Sequence, residues 1–100
     1  MQHLPIFFDV KQEPCLVIGG GEIATRKVTL LLRAGARVRL IAPELGQSLL
    51  RLAENRRIEH LPRSYQTSDL DEAVLVIAAT NDLTVNREIA RTASSRSLVW

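Results

Sequence analysis

Cys15-Leu16-Val17-Ile18-Gly19-Gly20-Gly21-Glu22-Ile23-Ala24 is the stretch that decides the fold. Its first four residues are continuously apolar, as in a strand buried on both faces, and three glycines stop the run. From position 22 to position 34 the period becomes helical. Ala24, Val28 and Leu31, with Ile23 and Leu30, supply an apolar side, while Glu22, Thr25, Arg26, Thr29 and Arg33 supply a polar one. Glu22 and Arg26 stand at i and i+4 and can pair weakly, and Gly35 lies where a helix C-terminal glycine belongs. The turn itself fits G-x-G-x-x-A. That match is weak alone, but it gains force where it joins a buried strand to a helix.

The same alternation continues on either side. Ile6-Phe7-Phe8-Asp9-Val10 is a short apolar segment closed by the polar turn Lys11-Gln12-Glu13-Pro14. Downstream, a strand over 38–42 breaks at Pro43, and a helix over 44–55 turns Leu45, Leu49, Leu52 and Ala53 to one face. Residues 58–61 alternate like a strand nearer an edge, and 62–71 are polar and irregular with room for one helical turn. Residues 73–79 form the most strongly buried strand of the chain. The following helix places Val85, Ile89 and Ala93 inward and Arg87, Glu88 and Arg91 outward. Short strands alternating with helices predict right-handed βαβ units and a parallel sheet covered on both faces, a doubly wound Rossmann-type α/β fold. One domain is expected over 1–100. A further apolar run, Ser97-Leu98-Val99-Trp100, starts where the chain stops, so the domain is expected to be cut inside its fifth main strand.

With 46% hydrophobic and 24% charged residues, the composition is that of a soluble globular domain, and 4% aromatic content leaves the core to Leu, Val, Ile and Ala. A net charge of +2, scattered along the chain, gives no basic stripe for nucleic acid. No apolar run approaches the roughly 18 residues of a membrane span, and the start of the chain does not read as a signal peptide. The expected setting is cytoplasmic. The single Cys15 cannot form an intrachain disulfide and reads as a small buried hydrophobe, and no Cys/His spacing suggests a metal. His3 and His60 lack a carboxylate or second histidine at a telling spacing, so both read as surface or strand-edge residues.

Each part of the glycine turn has a physical task. Gly19 lets the chain turn as it leaves the strand. Gly20 completes the run, and Gly21, without a Cβ, lets backbone N–H groups approach a pyrophosphate. Ala24 keeps the helix near the sheet, and the helix N-terminus offers unpaired N–H groups and a positive dipole end to the anion. The plain alternative is a glycine-rich turn that binds nothing, with Glu22 only complementing the helix dipole. NAD sites commonly hold the ribose with an acid at the end of the second strand. Here that strand ends Ile41-Ala42-Pro43-Glu44, so Glu44 either reaches the ribose or is a first-turn helix acid. Arg37 and Arg39 keep NADP open as carriers of a 2′-phosphate, although NAD is favoured. After the strand at 73–79, Ala79, Thr80 and Asn81 sit where small residues let a cofactor lie against the backbone. Thr80 and Asn81 offer hydrogen bonds to ribose or nicotinamide, and Asn81 or Asp82 offers a helix cap.

These residues resemble the N-terminal domain of the siroheme synthase (precorrin-2 dehydrogenase) family. The resemblance is carried by Leu4-Pro5-Ile6-Phe7, by the run from Cys15 through Gly19-Gly20-Gly21 to Lys27, and by Gly35-Ala36-Arg37-Val38, Ala42-Pro43-Glu44-Leu45 and Ala78-Ala79-Thr80-Asn81-Asp82. It implies oxidation of precorrin-2 to sirohydrochlorin with NAD⁺ as cofactor, insertion of Fe²⁺ as a further substrate, and a homodimer in the full-length protein. It places dinucleotide contacts at Glu22-Ile23 and Pro43-Glu44 and sets Thr80-Asn81 beside the nicotinamide. It also implies that the catalytic aspartate lies just past Trp100, so this chain is expected to bind NAD weakly and to catalyse little alone. Two weaker readings are a non-catalytic NAD-sensing domain of a transporter and the cofactor domain of an unrelated dehydrogenase. The former usually carries its acid at the strand end itself and lacks the Leu4-Pro5-Ile6-Phe7 segment.

Overall fold

Side chains along a strand point alternately to its two faces, and in β1 (Pro14–Ile18) both faces are apolar. Cys15 and Val17 meet α1 (Glu22–Arg33) and α2 (Gln47–Glu54), whose Ala24, Val28, Leu31 and Leu49 cover that side of the sheet. Leu16 and Ile18 meet the opposite layer, Leu70 of the 3-10 turn Thr67–Leu70 and Ile89 and Ala93 of α3 (Leu83–Ser95). Two covered faces explain the unbroken apolar run of β1. Full burial of Leu16, Leu40 and Leu49 contributes roughly 1.5–3 kcal/mol for each side chain. The computed structural model describes residues 10–95. The segment at 6–9, His3 and the predicted fifth strand therefore lie outside the described residues.

β2 (Arg37–Ile41), β3 (Glu59–Leu61) and β4 (Leu75–Ala78) complete an all-parallel sheet of order β3-β2-β1-β4. With helices on both faces, this is the Rossmann-type α/β architecture the sequence predicts. The chain winds outward from β1 to β3, then returns past β1 to β4. The strand order reverses between β1 and β4, which is where open α/β sheets bind ligands. The register sharpens this geometry. Ile18 pairs with both Ile41 and Ala78, and Ile41 pairs with Leu61, so all four strands end flush at the carboxyl edge.

Three predicted elements shift. α2 begins at Gln47 and not at Glu44, because the Gly46 N–H donates to the Gly20 carbonyl (2.9 Å) and holds the preceding residues as a loop. Glu44 is thus not a first-turn helix acid. β2 starts one residue earlier than expected, with Arg37 paired to Pro14, and ends at Ile41. β4 is shorter than the predicted strand, and only its Val76 is closed to solvent. Among the described residues its sole sheet neighbour is β1.

From β3 the chain crosses to β4 through residues 62–74, tied down by Asp69. Arg63 donates to both carboxylate oxygens (2.6 and 2.9 Å), and the Gln66 N–H donates to Oδ2 (2.7 Å). The hydrogen bonds from Arg63, helped by the Gln66 N–H and the positive charges of Arg63 and Arg39, hold the Asp69 carboxyl below its ordinary range against the opposing effect of burial. A depressed folded-state value means the stabilisation is complete above the ordinary carboxylate range and is lost as pH falls through the folded value. Asp69→Asn is expected to destabilise the fold at neutral pH by about 1.5–3 kcal/mol, with the difference from wild type shrinking as the solution is acidified. Denaturant titrations of both proteins across the acid range measure this.

Candidate functional site

Above the flush strand ends, the loops after β1, β2 and β4 meet and leave a cleft of about 880 Å³ between them. Its glycines have separate tasks. Gly19 has φ +133°, and a Cβ there would fall on the Ala79 carbonyl. A Cβ on Gly20 would fall on the Glu44 carbonyl and lie 3.1 Å from the Ala42 Cβ. Both glycines are thus required by the chain's own packing. Gly21 differs: its backbone is extended (φ −99°, ψ −156°), and a Cβ there would meet nothing within 4 Å. Nothing in the fold asks for a glycine at this position.

Gly21 is also the N-cap of α1, and no side chain caps that helix. Its first-turn N–H groups are left to water or to a ligand, and the dipole adds a positive field. α3, at the other side of the cleft, is built the opposite way. Asp82 accepts from the N–H groups of Thr84 (2.9 Å) and Val85 (3.3 Å), which closes that helix end with a carboxylate. Of the two capping residues proposed from the sequence, the structure selects Asp82.

The structure brings Gly19, Gly20, Gly21, Pro43, Glu44, Ala79, Thr80 and Asn81 together around the cleft. Glu22, Ile23 and Ala24 do not line it. The Glu22 side chain is exposed and pairs with Arg26 (3.3 Å), Ile23 is exposed, and Ala24 is fully buried against the sheet. Their contribution at this end of the helix is backbone N–H. Lys27 is exposed and outside the cleft. Arg37 and Arg39, the candidates for a 2′-phosphate, lie instead along a separate groove of about 600 Å³ that also contains Pro14 and Arg57. Arg39 is paired there with Glu59 (3.3 Å).

Sequence reasoning missed one wall of the cleft. Residues 63–67, with Val85 and Glu88, close it on the α3 side. Tyr65 packs against the apolar layer that holds Leu16 and Ile89. The tie between Arg63 and Asp69 spans six positions and has no periodic signature. Gln66 and Asp69 do stand three apart in a capping box, a pattern visible in the sequence. The charged residues of the cleft are Glu44, Asp82, Glu88 and Arg63, the last already bound to Asp69, so the field of the cleft is predominantly negative away from α1. His60 donates from Nε2 to the Ala42 carbonyl (2.8 Å) and braces the end of β2, a strand-edge role as expected. Cys15 is buried, and burial first, then the charge of Glu13, pushes its thiol pKa up. Among the described residues there is no group of His, Cys, Asp or Glu that could hold a metal, and no helix is long and apolar enough to cross a membrane.

The chain matches, over residues 6–100, the model of the family described as "Putative NAD(P)-binding". It is 50% identical over 98 residues to siroheme synthase of Methylobacillus flagellatus and 48% identical over 99 residues to siroheme synthase 1 of Serratia proteamaculans. These alignments cover 98% and 99% of the chain but 21% of either relative, so the chain spans about a fifth of their length. Among solved structures it is similar to SirC, precorrin-2 dehydrogenase, with a TM-score of 0.81 and 27% identity, over 88% of this chain and 44% of that one.

Proposed function

The chain belongs to the NAD(P)-binding family, and from that membership we propose that it is the cofactor-binding domain of a precorrin-2 dehydrogenase, holding NAD⁺ while precorrin-2 is oxidised to sirohydrochlorin. The observation that carries the reading is the open position at Gly21 beside the uncapped start of α1. A glycine that the fold does not need, next to unpaired N–H donors, is a cradle for an anion.

In this reading the first-turn N–H groups of Glu22, Ile23 and Ala24 hold the pyrophosphate. Gly20 and Gly21 form the floor beneath it. Glu44, exposed on the cleft wall after Pro43, takes the adenosine ribose, and Ala79 and Asn81 border the nicotinamide. Bound NAD⁺ supplies the hydride acceptor; the chain's own part is to bind and orient it. The charge distribution favours NAD over NADP, since Arg37 and Arg39 are outside the cleft and Glu44 would oppose a 2′-phosphate.

The substrate follows from the siroheme synthases and the precorrin-2 dehydrogenase to which the chain is similar. The proposal extends, for the full-length protein, to insertion of Fe²⁺ into sirohydrochlorin, a homodimer, a cytoplasmic setting and a catalytic aspartate past Trp100.

Gly21→Asp is the decisive variant. Aspartate is a preferred N-cap, so the substitution is expected to leave stability unchanged or raise it by about 0.3 kcal/mol. The new carboxylate would occupy the N–H groups and repel phosphate, so NAD⁺ binding should vanish. Gly19→Ala is the contrast: it should cost on the order of 1–3 kcal/mol through its strained backbone. Calorimetric titration and thermal melting of the full-length protein separate the two effects. NAD⁺ binding that survives Gly21→Asp would overturn the reading.

A second titration compares the dinucleotides. NAD⁺ is expected to bind at least about tenfold more tightly than NADP⁺, a difference of about 1.4 kcal/mol. Glu44→Gln should narrow the gap. In the same protein, precorrin-2 oxidation is followed by absorbance, and NAD⁺ binding without oxidation would point to a sensing module.

A further inference from the structure

Asn86 lies on the first turn of α3, where its backbone is ordinary helix: its N–H donates to the Asp82 carbonyl (3.0 Å). Its side chain does something else. It reaches back across the helix start to Thr80 and engages every polar group of that residue. Oδ1 accepts from the Thr80 N–H (3.1 Å) and lies 2.6 Å from the Thr80 hydroxyl, while Nδ2 donates to the Thr80 carbonyl (3.1 Å). The amide orientation is fixed by this pattern, because a backbone N–H requires an acceptor and a carbonyl requires a donor. The hydroxyl has one proton and two acceptors in reach, the Asp82 carbonyl at 3.0 Å and Oδ1 at 2.6 Å, and the shorter contact to Oδ1 claims it. Its oxygen then accepts from the Asp82 N–H (3.2 Å).

Resting on the dinucleotide reading above, we propose that Asn86 is the positioning residue of the nicotinamide side of the cleft, and that the Thr80 hydroxyl acts through Asn86 rather than on the ligand. An asparagine amide here replaces the partner strand that the backbone of residue 80 loses when β4 ends at Ala78. The consequence reaches the glycine turn. A Cβ on Gly19 would touch the Ala79 carbonyl and stand 3.1 Å from the Thr80 nitrogen, so the backbone that Asn86 fixes is the surface against which Gly19 packs. With the Thr80 N–H, carbonyl and hydroxyl proton engaged, the side-chain donor left for a ligand in this loop is the amide of Asn81, which is exposed on the cleft wall.

The test compares Asn86→Ala and Thr80→Val in the full-length protein, with NAD⁺ and AMP as probes and a thermal melt of each variant. Thr80→Val removes the hydroxyl but leaves both backbone bonds to Asn86. The expected result is that Asn86→Ala weakens NAD⁺ about tenfold or more, as loss of several half-buried hydrogen bonds to a turn would. AMP, which lacks the nicotinamide half, should be affected less than about twofold, and Thr80→Val should weaken NAD⁺ less than Asn86→Ala. Should Asn86→Ala fail to fold, the isosteric Asn86→Asp carries the same comparison. Unchanged NAD⁺ affinity in a folded Asn86 variant would overturn the proposal. So would a larger loss in Thr80→Val, which would make the hydroxyl a direct ligand contact, or equal losses for NAD⁺ and AMP, which would make Asn86 merely structural. Wild-type protein that binds neither probe would overturn the dinucleotide reading itself, and this proposal with it.

Discussion

Two places where backbones touch hold the top of this molecule together: Gly19 against Ala79, and Gly20 against Glu44. Neither approach is possible with a Cβ present. Both depend on the register below, which ends the strands at one level, so that the loops leaving β1, β2 and β4 emerge side by side. Backbone hydrogen bonds then lock the arrangement. Gly19 donates to the Ile41 carbonyl (2.9 Å), Ala79 to Ile18 (2.8 Å) and Gly46 to Gly20 (2.9 Å). The cleft is the space that remains when three loops are held this tightly at their bases.

Within that space, the two helix starts are treated differently. α3 has its N–H groups satisfied by Asp82, which makes it a finished structural element. α1 opens on a glycine, and no side chain caps its positive end. A cap at position 21 would have been easy to accommodate, since nothing occupies the space its side chain would enter. The fold therefore forgoes a small stabilisation at one helix and takes it at the other. In the proposed reading, an anion at α1 would offset that omission and would lie among carboxylates that disfavour a second, peripheral phosphate.

Much of this was legible in the sequence because it follows from periodicity. The unbroken run at β1, the helical spacing after Glu22 and the burial of Ala24 are direct consequences of two covered faces. What was not legible depends on partners distant along the chain. Glu44 looks like a helix acid until Gly46 is seen bonded to Gly20. Residues 73–79 read as the most strongly buried strand, yet among the described residues only Val76 of β4 is closed to solvent, because a strand's burial depends on its neighbours and its composition does not specify them. Arg37 and Arg39 are near Glu44 in sequence, but they stand at the start and the middle of β2 and line a groove separate from the cleft. The wall at 63–67 had no signal except the Gln66–Asp69 spacing, since a loop is shaped by ties such as Arg63 to Asp69 and not by a repeat.

Thr80 shows a deeper limit. Its residue type suits a ligand contact, and its place beside the cleft suits one equally well. Yet a hydroxyl at the end of a strand must first answer the backbone around it, because a polar group left unpaired there costs more than a modest ligand bond returns. Asn86 meets that need completely. The same ordering applies to the rest of the site: Gly19, Gly20, Asp82 and Arg63 are committed to the fold, and Gly21, Glu44 and Asn81 are not. The groups a fold leaves uncommitted, gathered around one cleft, are the ones available to a ligand, and here they fall along the path a dinucleotide would take from β2 to β4.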